Sequence, residues 1–139
     1  MELSEVLAAV EGAGPAHIAT VRADGGPHVA TSSLAVLDGD LWFFTFGTSA
    51  KARNLRADPR IAVEWESPSG EVYLWGTAEE HGDLAAKERV WTSGALPYDP
   101  VGFFGSPDSP ELVLFRVVPE RAMVQGMTPE GPAQRRWPT

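Results

Sequence analysis

Apolar positions at the start of the chain recur every three to four residues. Leu3, Val6, Leu7 and Val10 share one face of a helix that Gly12 ends. From His17 the period changes to two. His17–Arg22 and Pro27–Leu34 read as strands joined by Ala23-Asp24-Gly25-Gly26, a hairpin turn whose glycines accept positive φ. Asp38-Gly39-Asp40 makes a second turn before Leu41–Phe46, an aromatic strand. Ile61, Val63 and Trp65 alternate with Ala62, Glu64 and Glu66, which predicts one buried face and one open face. After the Ser67-Pro68-Ser69-Gly70 turn come Val72–Glu80, then Leu112–Val118 and Ala122–Gln125, two strands separated at Pro119. Ser49–Ala57 is a short helix capped by Thr48 or Ser49 and stopped by Asp58-Pro59, and Asp83–Trp91 is a second with an acidic cap. Pro97–Pro110 reads as an irregular loop and 127–139 as a flexible tail. Six or seven short strands with few helices predict a mostly-β chain, a small antiparallel barrel. It occupies residues 1–139 as one domain, with its N-terminal helix in 1–12.

Charge narrows the partners. The 139 residues carry 11 Lys and Arg against 19 Asp and Glu, a net charge of −8, so the far field repels polyanions and a nucleic-acid partner is not expected. Any anion must be gripped locally. The absence of cysteine excludes a disulfide framework, a thiolate metal site and a catalytic thiol, and agrees with a reducing compartment. No stretch approaches the roughly 20 apolar residues that cross a bilayer. The opening segment carries Glu2, Glu5 and Glu11 and no basic residue, unlike a signal peptide. A cytoplasmic protein without a membrane partner is the expectation.

Most chemical motifs are missing. Gly12-Ala13-Gly14-Pro15 follows a helix rather than a strand and lacks the third glycine of a dinucleotide fingerprint. His17, His28 and His81 are too dispersed to pair on one helix, so no metal site is expected, and Ser32 and Ser33 lack a nucleophile-elbow context. The informative stretch is Leu41–Arg60. An apolar strand gives way at Thr45 to a glycine-containing turn, and a helix starts near Ser49, which points free amides and partial positive charge into the turn. Thr45, Thr48 and Ser49 add hydroxyls, and Lys51, Arg53 and Arg56 gather three of the eleven basic groups. In so acidic a chain this is the best anion site available. Ser or Thr at a helix start is equally an ordinary cap, and basic residues on an exposed helix are commonly just solvated.

Taken together, HIATVRADGGPHV, DGDLWFFTFGTSAKARNLRADPRIAV, GTAEEHGD, RVWTSG and FFGSPDSPELVLFRVVPERA resemble the pyridoxamine 5'-phosphate oxidase-like, flavin-binding split-barrel superfamily, and within it the bacterial general stress proteins. The resemblance runs from about Ala16 to Met123. Its most specific element is a strand ending in Phe-Thr, then Ser-x-Lys-x-x-x-Leu, then Asp-Pro and another strand. It implies a six-stranded antiparallel Greek-key split barrel of the FMN-binding type and a homodimer with FMN in a groove between subunits. Thr45, Ser49 and Lys51 fall on the family's phosphate-contacting positions, and Phe44 on its usual aromatic. Ala30, Thr31, Ser32 and Ser33 lie on the strand that lines the flavin ring. Trp75, Trp91 and the pair Phe103–Phe104 are candidates to close the groove, of the same subunit or of the other one, although aromatics in a small barrel commonly fill core or interface.

Departures matter too. The stress proteins usually carry an Arg-Pro-(Met)-Trp-like run on the second strand, where this chain has Ala30-Thr31-Ser32-Ser33, and often a Trp near Met123-Val124-Gln125. True pyridoxamine phosphate oxidases grip their substrate with a C-terminal Arg and His, whereas Arg121, Arg135 and Arg136 are accompanied here by no histidine, so vitamin B6 oxidation is not expected. The resemblance thus implies an FMN-dependent oxidoreductase acting on a small molecule, with no catalytic acid or base visible. The alternatives are a deazaflavin-dependent reductase of the same fold, a non-catalytic flavin-binding stress protein, and a groove that holds no cofactor.

Overall fold

The computed structural model describes residues 1–139. The helical stripe forms α1 (Leu3–Val10), with Val6, Leu7 and Val10 buried. The alternating segments form β1 (Ala16–Val21), β2 (Pro27–Ser32), β3 (Ala35–Leu37), β4 (Asp40–Phe46), β5 (Arg60–Ser67) and β6 (Gly70–His81), with α2 (Ala50–Ala57) between β4 and β5. α3 (Leu84–Thr92) and α4 (Pro100–Phe104) precede β7 (Leu112–Thr128) and β8 (Gly131–Trp137). No helix is long and apolar enough to cross a membrane.

All eight strands belong to one antiparallel sheet ordered β2-β1-β5-β6-β7-β4-β3, with β8 added alongside the second half of β7. β2 and β3 are the two ends of that order and do not pair, so the barrel is not closed. Yet only Ser33 and Leu34 separate them in the chain. A link that short spans on the order of 10 Å, so the sheet must roll until its edges face each other across a split. The rolling encloses a core of Ile18, Phe43, Ile61, Val63, Trp65, Leu74, Phe115 and their neighbours, against which α1 packs. β4 is apolar on both faces, as a continuous apolar run requires. Leu41 and Phe43 point to the barrel core, while Trp42 and Phe44 join Ala35, Val90, Leu112 and Leu114 in a second cluster beneath α3.

Four expectations need correction. The barrel has eight strands rather than six. One addition is β3, because the run expected as Pro27–Leu34 stops at Ser32 to cross the split. The other is β8, which occupies the segment expected to be a flexible tail: Thr128–Gly131 turns with φ +114° at Gly131, and the backbone of Gly131–Trp137 ladders onto β7. Its side chains are mostly polar and exposed, so no apolar alternation announces it. The break expected at Pro119 does not occur either. β7 runs unbroken through it because a bulge in β7, where Glu120 is left without a partner opposite Trp75 and Gly76, accommodates the missing donor. Finally, the Pro97–Pro110 loop contains α4, capped by the Asp99 side chain, which accepts from the Val101 amide at 3.0 Å, with Pro100 beginning the helix.

Candidate functional site

A cleft of about 470 Å³ opens where the split in the barrel meets the end of β4. Three stretches line it: Gly14-Pro15 with Thr31–Ser33, the β4–α2 junction with Phe44–Phe46 and Lys51, and the loop after α3 with Pro97, Tyr98, Phe103 and Phe104. Residues remote in sequence thus share one cavity because the rolled sheet brings the end of β2 opposite the end of β4.

The junction is built from hydroxyls outward. Thr45, buried at the end of β4, donates to Ser49 Oγ at 3.0 Å, and the same oxygen accepts from the Ala52 amide at 3.2 Å as the cap of α2. With both acceptor positions engaged, the Ser49 hydroxyl has its own proton left to donate outward. The amides of Ala50 and Lys51, in the first turn of α2, have no intrahelical acceptor. α2 itself is held by Ala52 and Leu55 in the core and by Asn54, whose Nδ2 donates to Thr20 Oγ1 on β1 at 3.1 Å.

The three basic residues play different parts. Arg56 grips Glu80 on β6 with Nε to Oε1 at 2.7 Å and a second contact at 3.2 Å, and donates to the Gly47 carbonyl at 2.9 Å. The Glu80 hydrogen bond raises its already high pKa. Arg53 donates to the Thr48 carbonyl at 2.6 Å. Both arginines thus shape the turn. Lys51 lines the cleft and has no ion-pair partner, and burial lowers its pKa below the ordinary lysine value. A half-buried ammonium without a counter-ion, close in sequence to free amides and a donor hydroxyl, has the chemistry that an anion would need. The anion grip expected from three basic residues therefore rests on one cation and a set of neutral donors.

Of the residues singled out from the sequence, Thr31, Ser32, Ser33, Phe44, Thr45 and Lys51 converge on this cavity, and Ser49 touches it through Thr45. Ala30 sits one step along β2, half-buried opposite Ile18 on β1. Trp75 does not come to the cavity. It stands on the outer face of β6, stacked on Tyr73 at 6.1 Å and under the Arg121 guanidinium at 4.5 Å. Trp91 packs edge-on behind Phe44 at 5.8 Å, whereas Phe103 and Phe104 do line the cleft. Sequence reasoning missed Tyr98, which lies in a proline-rich loop where no periodicity marks an inward residue.

Ser49→Ala removes the helix cap and the acceptor of the buried Thr45 hydroxyl. Chemical denaturation is expected to show a loss of about 1–2 kcal/mol, at the upper part of the range for a cap.

A partly open antiparallel barrel with a cleft at its split, lined by one unpaired cation and neutral donors, is the class that these features define. The sequence matches the pyridoxamine 5'-phosphate oxidase family model over residues 3–125, and the chain belongs to that family. It is 32% identical over 114 residues to the pyridoxine/pyridoxamine 5'-phosphate oxidase of Pseudomonas entomophila (strain L48), covering 79% of this chain and 49% of that protein, so the chain spans about half the length of this curated relative. Among solved structures, a conserved hypothetical protein from Mycobacterium tuberculosis is 30% identical with a TM-score of 0.71, covering 88% of this chain and 82% of that one. General Stress Protein 26 from Bacillus anthracis str. Sterne shares the fold at 23% identity and a TM-score of 0.71, covering 88% and 92%.

Proposed function

We propose that the chain binds FMN in this cleft and acts as a flavin-dependent oxidoreductase on a small molecule, as a homodimer with the cofactor at the subunit interface. The observation that carries the reading is the unpaired, half-buried Lys51 ammonium beside the Ser49 hydroxyl and the first-turn amides of α2. The donor set fits a phosphate monoester, which brings nearly two negative charges and three acceptor oxygens. Phe44 and Phe46 fit the flat apolar part of such a ligand, and the cleft volume lies within the usual range for cofactor sites. Thr31, Ser32 and Ser33 bring hydroxyl and backbone groups to the ring's polar edge. When bound, the flavin supplies the redox chemistry, and these residues orient it and exclude water.

Charge also ranks the ligands. Deazaflavin cofactors of related proteins carry a polyglutamate tail, and with Arg53 and Arg56 engaged in shaping the turn, Lys51 is the one cation lining the cleft. That favours a single phosphate over a polyanionic tail. The three arginines after Pro119 lie elsewhere: Arg121 over Trp75, and Arg135 and Arg136 beside the N-terminus, with Arg135 3.6 Å from Glu5. None reaches the cleft to hold a second phosphate, which argues against a vitamin B6 substrate.

Support for dimerisation comes from the outer face of β2-β1-β5-β6. There Val29 (64% exposed), Ala19, Ala62, Tyr73 and Trp75 form an apolar surface, larger at its aromatic edge than a lone surface side chain. Trp75 belongs to that surface, and in the dimer it packs at the interface.

Purified without added cofactor, the protein is expected to release FMN, identified by its flavin absorption and by mass spectrometry, or to bind added FMN stoichiometrically. Release of a deazaflavin would replace FMN in the reading. No flavin and no thermal shift with excess FMN would end it. Sedimentation is expected to show a dimer with and without FMN.

A further inference from the structure

The wall that the loop after α3 and α4 give to the cleft has its own chemistry. The only ionisable side chains lining the whole cavity are Lys51 and Tyr98, so once an anion neutralises Lys51 no charge remains there. That wall is a run of aromatic rings. Tyr98 meets Phe103 edge-on at 5.1 Å, Phe103 lies 6.2 Å from Phe104, and Phe104 packs on Phe46 at 5.0 Å and on Phe44 at 6.1 Å. Phe103 is nonetheless 66% exposed, an apolar ring left facing solvent at the edge of a cavity. The Tyr98 hydroxyl has no hydrogen-bond partner within the chain, and burial pushes its pKa up to about 12, so it stays protonated and offers a donor. An aromatic wall with one phenol donor and no charge suits a flat, uncharged ring that presents an acceptor atom.

We infer that the Tyr98–Phe103–Phe104 wall is the substrate half of the cleft and takes an uncharged planar aromatic molecule whose carbonyl-type oxygen accepts from Tyr98 Oη. It excludes phosphorylated and carboxylated substrates, which would meet a net charge of −8 without a second cation in the cavity. This rests on the proposal that FMN occupies the Lys51 half.

The test uses the FMN-loaded protein and equilibrium binding. The probes are menadione, 2-methylnaphthalene, which lacks the acceptor oxygens, and pyridoxamine 5'-phosphate. Menadione is expected to bind at least about ten-fold more tightly than pyridoxamine 5'-phosphate. Tyr98→Phe should weaken menadione by about five-fold, the size of one net hydrogen bond, and leave 2-methylnaphthalene and FMN affinities unchanged. Phe103→Ala should weaken both ring probes several-fold, roughly as lost apolar contact requires. Menadione affinity that is indifferent to both substitutions overturns the inference, as does preferential binding of pyridoxamine 5'-phosphate. A Tyr98→Phe protein that loses FMN as strongly as menadione overturns it too, because Tyr98 would then belong to the cofactor half. Failure of the unaltered protein to bind FMN at all sinks the cofactor reading instead, and is read before any probe is added.

Discussion

Lys51→Met is expected to weaken FMN by about 10- to 100-fold, the equivalent of losing one charge-assisted hydrogen bond to phosphate. Fluorescence quenching of FMN on titration measures it. The apo protein should be no less stable than the original, because Lys51 makes no ion pair and its burial disfavours the charged form. Methionine keeps the apolar stem, one atom shorter than lysine, and removes that cost. The pH dependence follows with a definite sign. Burial holds the Lys51 pKa below that of a lysine in the unfolded chain, so between the two values the unfolded state binds more protons. Apo stability from this group therefore rises as pH increases through that interval, opposite to a lysine that gains a partner on folding. FMN affinity moves the other way, falling as the amine loses its proton. A Lys51→Met protein that keeps its FMN affinity would remove the anchor from the proposed site.

Gly76→Ala should damage the barrel severely. A Cβ at that position would lie 2.0 Å from the Val118 carbonyl oxygen and 3.1 Å from the Pro119 Cα, both backbone atoms that cannot swing aside. Gly76 pairs with Pro119 at the bulge that lets β6 and β7 stay laddered, so the clash falls on the longest strand pair in the sheet. The expected loss is about 3 kcal/mol in urea denaturation, at the upper end of what overpacking costs. Gly82→Ala is the control. Nothing lies within 4 Å of a Cβ there, and its stability should stay within about 0.5 kcal/mol of the original. Equal stability of the two variants would mean that the strands do not approach as closely as described.

The anion half of the site was legible because its parts are local in sequence. Thr45, Ser49 and Lys51 fall within seven residues, and a strand end followed by a capped helix start fixes their relation without knowledge of the fold. What local pattern could not reveal is where neighbouring cations point. Arg53 and Arg56 have the same spacing character as Lys51, and only the tertiary position of Glu80 and the turn carbonyls takes them out of the cleft. Trp75 follows a different rule. Val72 and Leu74 face the core, so alternation already places Trp75 outward, away from the cleft of its own chain. β8 and the continuity of β7 were hidden for a common reason: backbone pairing, not side-chain burial, holds them. A polar strand and a proline beside a bulge leave little trace in a hydrophobic pattern. Tyr98 was hidden because α4 and its approach are placed by packing onto Phe44 and Phe46, contacts made between segments about sixty residues apart.

The most direct measurement compares FMN with riboflavin, which differ by the phosphate alone, on the original protein and on Lys51→Met. If the phosphate is held at the β4–α2 junction, the original protein prefers FMN strongly and the substitution removes about 10- to 100-fold of that preference while riboflavin binds both proteins alike. An FMN-to-riboflavin ratio that is the same in the two proteins would place the phosphate elsewhere and contradict the account.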